Sequence, residues 1–171
     1  KGGESDVTSG GDTTFGGAFN LEVCSLSGTT GTGGNILVTT GGNLTADDVS
    51  FNLGFNQSGV SVTDGANMKR TVGGDLNATS LLATIDNSTG GNISNGGNIL
   101  VSTGGDLITT IGGATFTINN SNGGTIDNGG NITLIAGGSV STQGFNLLVA
   151  NYGDVFGFPG TPVGQIGTGG N

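Results

Sequence analysis

Two glycine pairs eight residues apart recur about every 32 residues along this chain. The first pair opens at Gly2, Gly33, Gly65, Gly96 and Gly129, with Gly65-Ala66 as a variant. The second opens at Gly10, Gly41, Gly73, Gly104 and Gly137. Successive repeats span 31, 32, 31, 33 and 40 residues, and a sixth begins at Gly169-Gly170-Asn171. A fixed period of this length marks a stacked array in which each unit contacts only its neighbours. The units run 2–32, 33–64, 65–95, 96–128 and 129–168 and form one segment.

Apolar residues keep phase with the glycines. Ser5, Ile36, Met68, Ile99 and Ile132 share one position, and Val7, Val38, Arg70, Val101 and Leu134 lie two further on. That alternation predicts a short strand with one buried face. A second strand opens at Thr13, Leu44, Leu76, Leu107 and Val140. A third carries Phe19/Leu21/Val23, Val49/Phe51/Leu53, Leu81/Ala83/Ile85, Ala114/Phe116/Ile118 and Phe145/Leu147/Val149 inward. A short fourth piece holds Val60/Val62, Ile93 and Ile126. The glycine pairs read as corners, where positive φ or close backbone approach favours glycine. Asn and Asp follow the pairs, as turn-capping residues do. No helical period appears. The expected fold is therefore all-β, a parallel β-helix (β-solenoid) of about five coils, right-handed by the usual preference of parallel crossovers. Like strands stack at ~4.8 Å, giving a prism ~24 Å tall.

Composition separates this reading from disorder. Glycine supplies 39 of 171 residues, yet charged residues are only 9%. Disordered chains are rich in charge and give apolar residues no reason to keep phase. The net charge is −9, and only Lys1, Lys69 and Arg70 are positive. A nucleic-acid partner needs a basic face, so that class is nearly excluded, and an anionic membrane surface is excluded by the same reasoning. Apolar runs such as Leu147-Leu148-Val149-Ala150 are far too short to span a bilayer. Cys24 is the one cysteine, so neither an internal disulfide nor a cysteine metal cluster can form. The chain opens on Lys rather than Met, which suggests a piece of something longer.

The phased motifs GGNILVTT, GGNLTADD, GGNILVST and GGNITLIA resemble the glycine-rich β-helical repeats of filamentous-haemagglutinin-like bacterial exoproteins. Autotransporter passengers and large repetitive adhesins are similar. The resemblance covers nearly the whole chain. It implies a secreted, cell-surface, rod-forming protein with adhesive or matrix roles, and it carries over no catalytic residue.

The chemistry within reach is narrow. The sequence has no His, so neither Cys24 nor any serine has an imidazole base. Glycoside hydrolysis would need clustered carboxylates, and Asp47-Asp48 is the only adjacent acidic pair. Calcium is the candidate ion. Asp75 and Asp106 hold the same position in neighbouring coils, ~4.8 Å apart, where like charges need solvent, hydrogen bonds or a hard cation between them. The plain alternative is a column of solvated corner residues, in which case no cofactor is needed. Thr8, Thr39, Thr71 and Ser102 form an outward column, but the position beside it is mixed. Arg70 falls on an inward position, where a charge is costly. A local bulge that turns it outward is the expected solution, and a pair with a corner Asp the alternative. The fifth repeat is the longest, and its excess holds Tyr152, Phe156, Phe158, Pro159 and Pro162. These form a candidate partner-binding loop, since binding concentrates in loops projecting from a scaffold.

The expected function is that of a non-catalytic structural segment of an extracellular bacterial rod or filament. Its expected partners are copies of itself or flanking repeats, meeting through the solenoid ends, whose strand edges are unpaired. The alternative is an adhesin module that binds surface glycans or receptors.

Overall fold

The computed structural model describes residues 3–25, 30–55, 62–87, 93–119, 125–150 and 165–168. Every regular element among them is a strand, and every strand pairing is parallel. Three sheets form the walls of a β-solenoid. The first contains β1 (Glu4–Ser9), β5 (Asn35–Thr40), β8 (Asn67–Val72), β11 (Asn98–Thr103) and β14 (Asn131–Ala136), stacked in that order. The second contains β2 (Thr13–Thr14) and β3 (Phe19–Ser25), then β6 (Leu44–Phe55), β9 (Leu76–Asp86) and β12 (Leu107–Asn119), then β15 (Val140–Ser141) and β16 (Phe145–Ala150). The third contains β4 (Thr30–Thr32), β7 (Val62–Asp64), β10 (Ile93–Asn95), β13 (Thr125–Asn128) and β17 (Gln165–Thr168). Each wall thus has five rungs, joined by about four turns of the chain.

The apolar ladders pair in the register that the glycine phase predicts. Ile36 lies against Met68, Met68 against Ile99, and Ile99 against Ile132. Leu44, Leu76 and Leu107 are in register and fully buried. The core is a column made from the inward side of each wall and includes Phe51, Leu81, Ile85, Phe116 and Ile118. Packing of this kind gives each coil its stability only through the coils above and below.

Three expectations change. The second and third strands are one continuous strand in the middle coils, as in β6 and β9, and separate only in the first and last. The short fourth piece stacks into a third wall of its own, and Val60 lies outside the described residues. Arg70 does not turn outward through a bulge. Strand β8 keeps an unbroken register with both neighbours, Val38 and Val101 flanking Arg70, so its side chain must enter the core. Hydrogen bonds on both edges fix that register. A one-residue slip would expose every inward residue of the strand at once.

The long arginine fits because the opposite wall makes room. Ala83 sits in the ladder between Phe51 and Phe116, where a third phenylalanine would otherwise stand. The guanidinium carbon lies 5.3 Å from the centroid of the Phe51 ring.

Candidate functional site

The corner after the second glycine pair is built from side chains that reach between coils. Asp12 Oδ1 accepts the Asn43 N–H at 2.8 Å, and Asn43 Oδ1 accepts the Asp75 N–H at 2.7 Å. Asp75 Oδ1 accepts the Asp106 N–H at 2.8 Å, and Asp106 Oδ1 accepts the Ser139 N–H at 2.6 Å. These oxygens cap the backbone of the next coil rather than their own turn. The glycines are explained by the same contacts. A Cβ on Gly42, Gly74, Gly105 or Gly138 would overlap the Asx Oδ1 of the coil before it. A Cβ on Gly41, Gly73, Gly104 or Gly137 would overlap the preceding glycine carbonyl. Room, not positive φ, is what this corner requires. Positive φ matters at the other corner, where Gly97 and Gly130 have φ of 88° and 83°.

This geometry bears directly on Asp75 and Asp106. Both are half-buried, and one oxygen of each is engaged by a backbone N–H. The hydrogen bonds therefore answer the repulsion that suggested calcium. Among the described residues, no three His, Cys, Asp or Glu side chains converge on a point. We expect a chelator to leave the melting temperature of the chain nearly unchanged. A fall of more than about 10 °C in a thermal melt would instead show a stabilising bound cation.

Amide ladders run along the other corner in the same sense. Asn98 Nδ2 donates to Asn67 Oδ1 at 2.9 Å, and Asn131 Nδ2 donates to Asn98 Oδ1 at 3.0 Å. In the third wall, Asn95 Nδ2 donates to Asp64 Oδ1 and Asn128 Nδ2 to Asn95 Oδ1. Each later coil donates to the coil before it, so the two ends of the stack differ chemically. The Thr8, Thr39, Thr71 and Ser102 column is in register but ends at Ile135. Of the Asp47-Asp48 pair, Asp48 accepts the Ser80 hydroxyl at 2.6 Å, again from one coil to the next.

A notch interrupts the side of the second wall. Strand β12 holds three residues between Thr109 and Gly113 where β9 holds one between Ala78 and Ser80. The extra residues form a bulge that leaves Ile111 75% exposed. Gly112 and Gly113 permit it, since a Cβ on Gly113 would press on Gly144 O and its φ is 74°. Beside the bulge lies a space of about 360 Å³ lined by Ile108, Thr109, Thr110, Ser141, Thr142 and Gln143. The lining carries no charge. Thr109 Oγ1 donates to Thr142 Oγ1 at 2.7 Å. The sequence reading missed this feature. Its signal is spacing: the apolar positions of the second and third strands lie seven residues apart at Leu107 and Ala114 but five at Leu76 and Leu81.

The ends of the stack are unequal. At the first coil, Phe15 stacks on Phe19 with centroids 4.2 Å apart, and Phe19 meets Phe51 edge-on at 5.5 Å. Val7, Leu21 and Val23 are half-buried there. At the last coil, Val140, Phe145 and Leu147 remain 45–50% exposed although their ladders point inward. Val140 was expected inside. It is exposed because burial on a solenoid wall comes from the next coil as well as the previous one. The candidate loop residues Tyr152, Phe156, Phe158, Pro159 and Pro162 lie outside the described residues.

Compared with family models, curated proteins and solved structures, the chain finds no match.

Proposed function

We propose that this chain is a non-catalytic structural segment of an extracellular bacterial rod or filament, which acts through shape and through its ends. The single observation that carries the reading is the last coil. Its inward residues Val140, Phe145 and Leu147 are apolar and about half exposed, on strands whose outer edge is unpaired among the described residues. An apolar face bordered by free strand edges favours continued stacking. The extracellular setting rests on the resemblance of the GGN-type motifs to exoprotein shafts.

The test is assembly. Concentrated chain should form rods longer than one unit in negative-stain images, and its sedimentation should depend on concentration. Leu147→Lys should shorten or abolish these assemblies, because it places a charge on the exposed end of the core. A chain that stays monomeric at high concentration overturns the reading.

A second reading is favoured by the notch. Its uncharged, hydroxyl- and amide-bearing lining beside exposed Ile111 suits a neutral polyhydroxylated ligand, and would make the chain a carbohydrate-binding adhesin module. Glycan-array binding that is lost in a Thr110→Ala, Gln143→Ala double variant would establish it. An array with no signal would remove it.

A further inference from the structure

We infer that the C-terminal face of one chain docks on the N-terminal face of a second copy, in register, so that the glycine corner continues unbroken across the junction. This inference rests on the end-to-end reading and specifies the partner and the geometry of the contact.

The first observation is an unexplained pair of glycines. In the inner coils, the second glycine pair is required by the coil before it, as Gly41, Gly42, Gly73, Gly74, Gly104 and Gly105 all show. Gly10 and Gly11 have the same place in the first coil, yet nothing among the described residues lies within 4 Å of a Cβ built on either. Neither has a positive φ that would call for glycine. The described coils therefore give no reason for them. A preceding coil would: its glycine carbonyl would press on Gly10 and its corner side chain on Gly11.

The second observation is a backbone donor in the same corner. The N–H groups of Asn43, Asp75, Asp106 and Ser139 are each taken by a side-chain oxygen of the coil before. Asp12 is the corresponding residue of the first coil, and no coil precedes it among the described residues. At the other end of the stack, Ser139 closes the same column, and its hydroxyl oxygen can accept that N–H. Gly137 supplies the carbonyl.

The third observation is that the inward residues of the second wall's long strand match across the two ends. Extending the register by one rung sets Phe145 against Phe19, Leu147 against Leu21 and Val149 against Val23. On their other sides, Phe145, Leu147 and Val149 already face Ala114, Phe116 and Ile118, and Phe19, Leu21 and Val23 face Val49, Phe51 and Leu53. On the first wall, Leu134 would meet Val7 and Asn131 would meet Glu4 by the same register. Phe145 and Leu147 thus find apolar ladder partners on the first coil, while Val140 would meet Thr13. A contact between different faces of identical units does not close on itself, so it propagates as a fibre.

The test uses the full chain and a Gly10→Ala, Gly11→Ala double variant. Alanine meets nothing among the described residues at either position, so the variant should melt within about 2 °C of the parent. In the junction, the two methyl groups should meet the carbonyl and side chain of the partner copy, as they would at Gly41 and Gly42. Self-association measured by sedimentation should weaken at least about tenfold. If the double variant associates like the parent while Leu147→Lys does not associate, the ends meet out of register and this inference fails while end-to-end stacking stands. If both variants associate like the parent, or the parent itself stays monomeric, end-to-end stacking fails as well.

Discussion

Replacing Gly104 by alanine should unfold the middle of the stack. The substitution puts a methyl group onto the Gly73 carbonyl, closer than any real Cβ contact. The atom it meets is backbone, so no rotamer change relieves the overlap. Nor can the strands part to make room. Gly104 N–H donates to Val72 O at 2.8 Å, and Gly105 N–H donates to Gly74 O at 3.0 Å, so the corner is tied to the coil before it. On the other side, Gly137 N–H donates to Thr103 O at 2.9 Å, so movement away from one coil strains the next. Strand spacing in a stacked sheet is fixed at about 4.7–4.9 Å by such bonds. The expected loss exceeds about 4 kcal/mol, the range in which a single change overwhelms a coil's share of stability. Because each coil is held by its neighbours, the defect should lower cooperativity as well as the midpoint of urea unfolding. Gly144→Ala is the matched control. Among the described residues nothing lies within 4 Å of a Cβ there, so its midpoint should move little. A Gly104→Ala chain as stable as the parent would show that the corner is looser than its hydrogen bonds indicate.

Arg70→Met should stabilise the protein. The arginine is fully buried, and its Nε, Nη1 and Nη2 atoms have no hydrogen-bond partner among the described residues. Burial pushes its pKa down to about 9, which reports the cost of holding the charge away from water. The Phe51 ring offsets part of that cost, by roughly 2 kcal/mol for a desolvated cation over an aromatic face. Methionine keeps the length of the side chain without the charge. Replacing buried charge by apolar volume gains about 1–4 kcal/mol in other proteins, and that is the expected size here. Arg70→Val should gain less, because it leaves empty the space that Ala83 opens. The pair Arg70→Val with Ala83→Phe should recover it, restoring valine between Val38 and Val101 and phenylalanine between Phe51 and Phe116. The pH dependence has a definite sign. The folded chain gives up the Arg70 proton more readily than the unfolded chain, so the unfolded state binds more protons above about pH 9. The stability gap between parent and Arg70→Met should therefore be full at neutral pH and narrow as pH rises above about 9. Denaturant melts at neutral and alkaline pH read this directly. A variant less stable than the parent would show that Arg70 has a partner in solution that offsets its burial.

The repeat and the inward ladders were legible before any coordinates. Ile36, Met68 and Ile99, or Leu44, Leu76 and Leu107, are set by local rules. A strand alternates its faces every two residues, and glycine pairs at constant spacing fix where each strand starts. Those rules act within one coil, so one coil's sequence is enough to read them. What lay beyond reach involves residues from different coils or different walls. The inward Arg70 depends on a register held from both sides and on Ala83 across the core. The role of Asp75 and Asp106 depends on backbone donors 31 to 33 residues further along the chain. The notch depends on two extra residues in β12 having nowhere to go but outward, since both neighbouring strands keep their length. The exposure of Val140, Phe145 and Leu147 depends on where the stack of described coils stops. Sequence alone determined that the chain winds into coils and which residues face inward, because strand alternation and corner sterics are local. Tertiary structure alone decided what each inward or corner residue meets, because in a stack every coil is completed by the coils on either side of it.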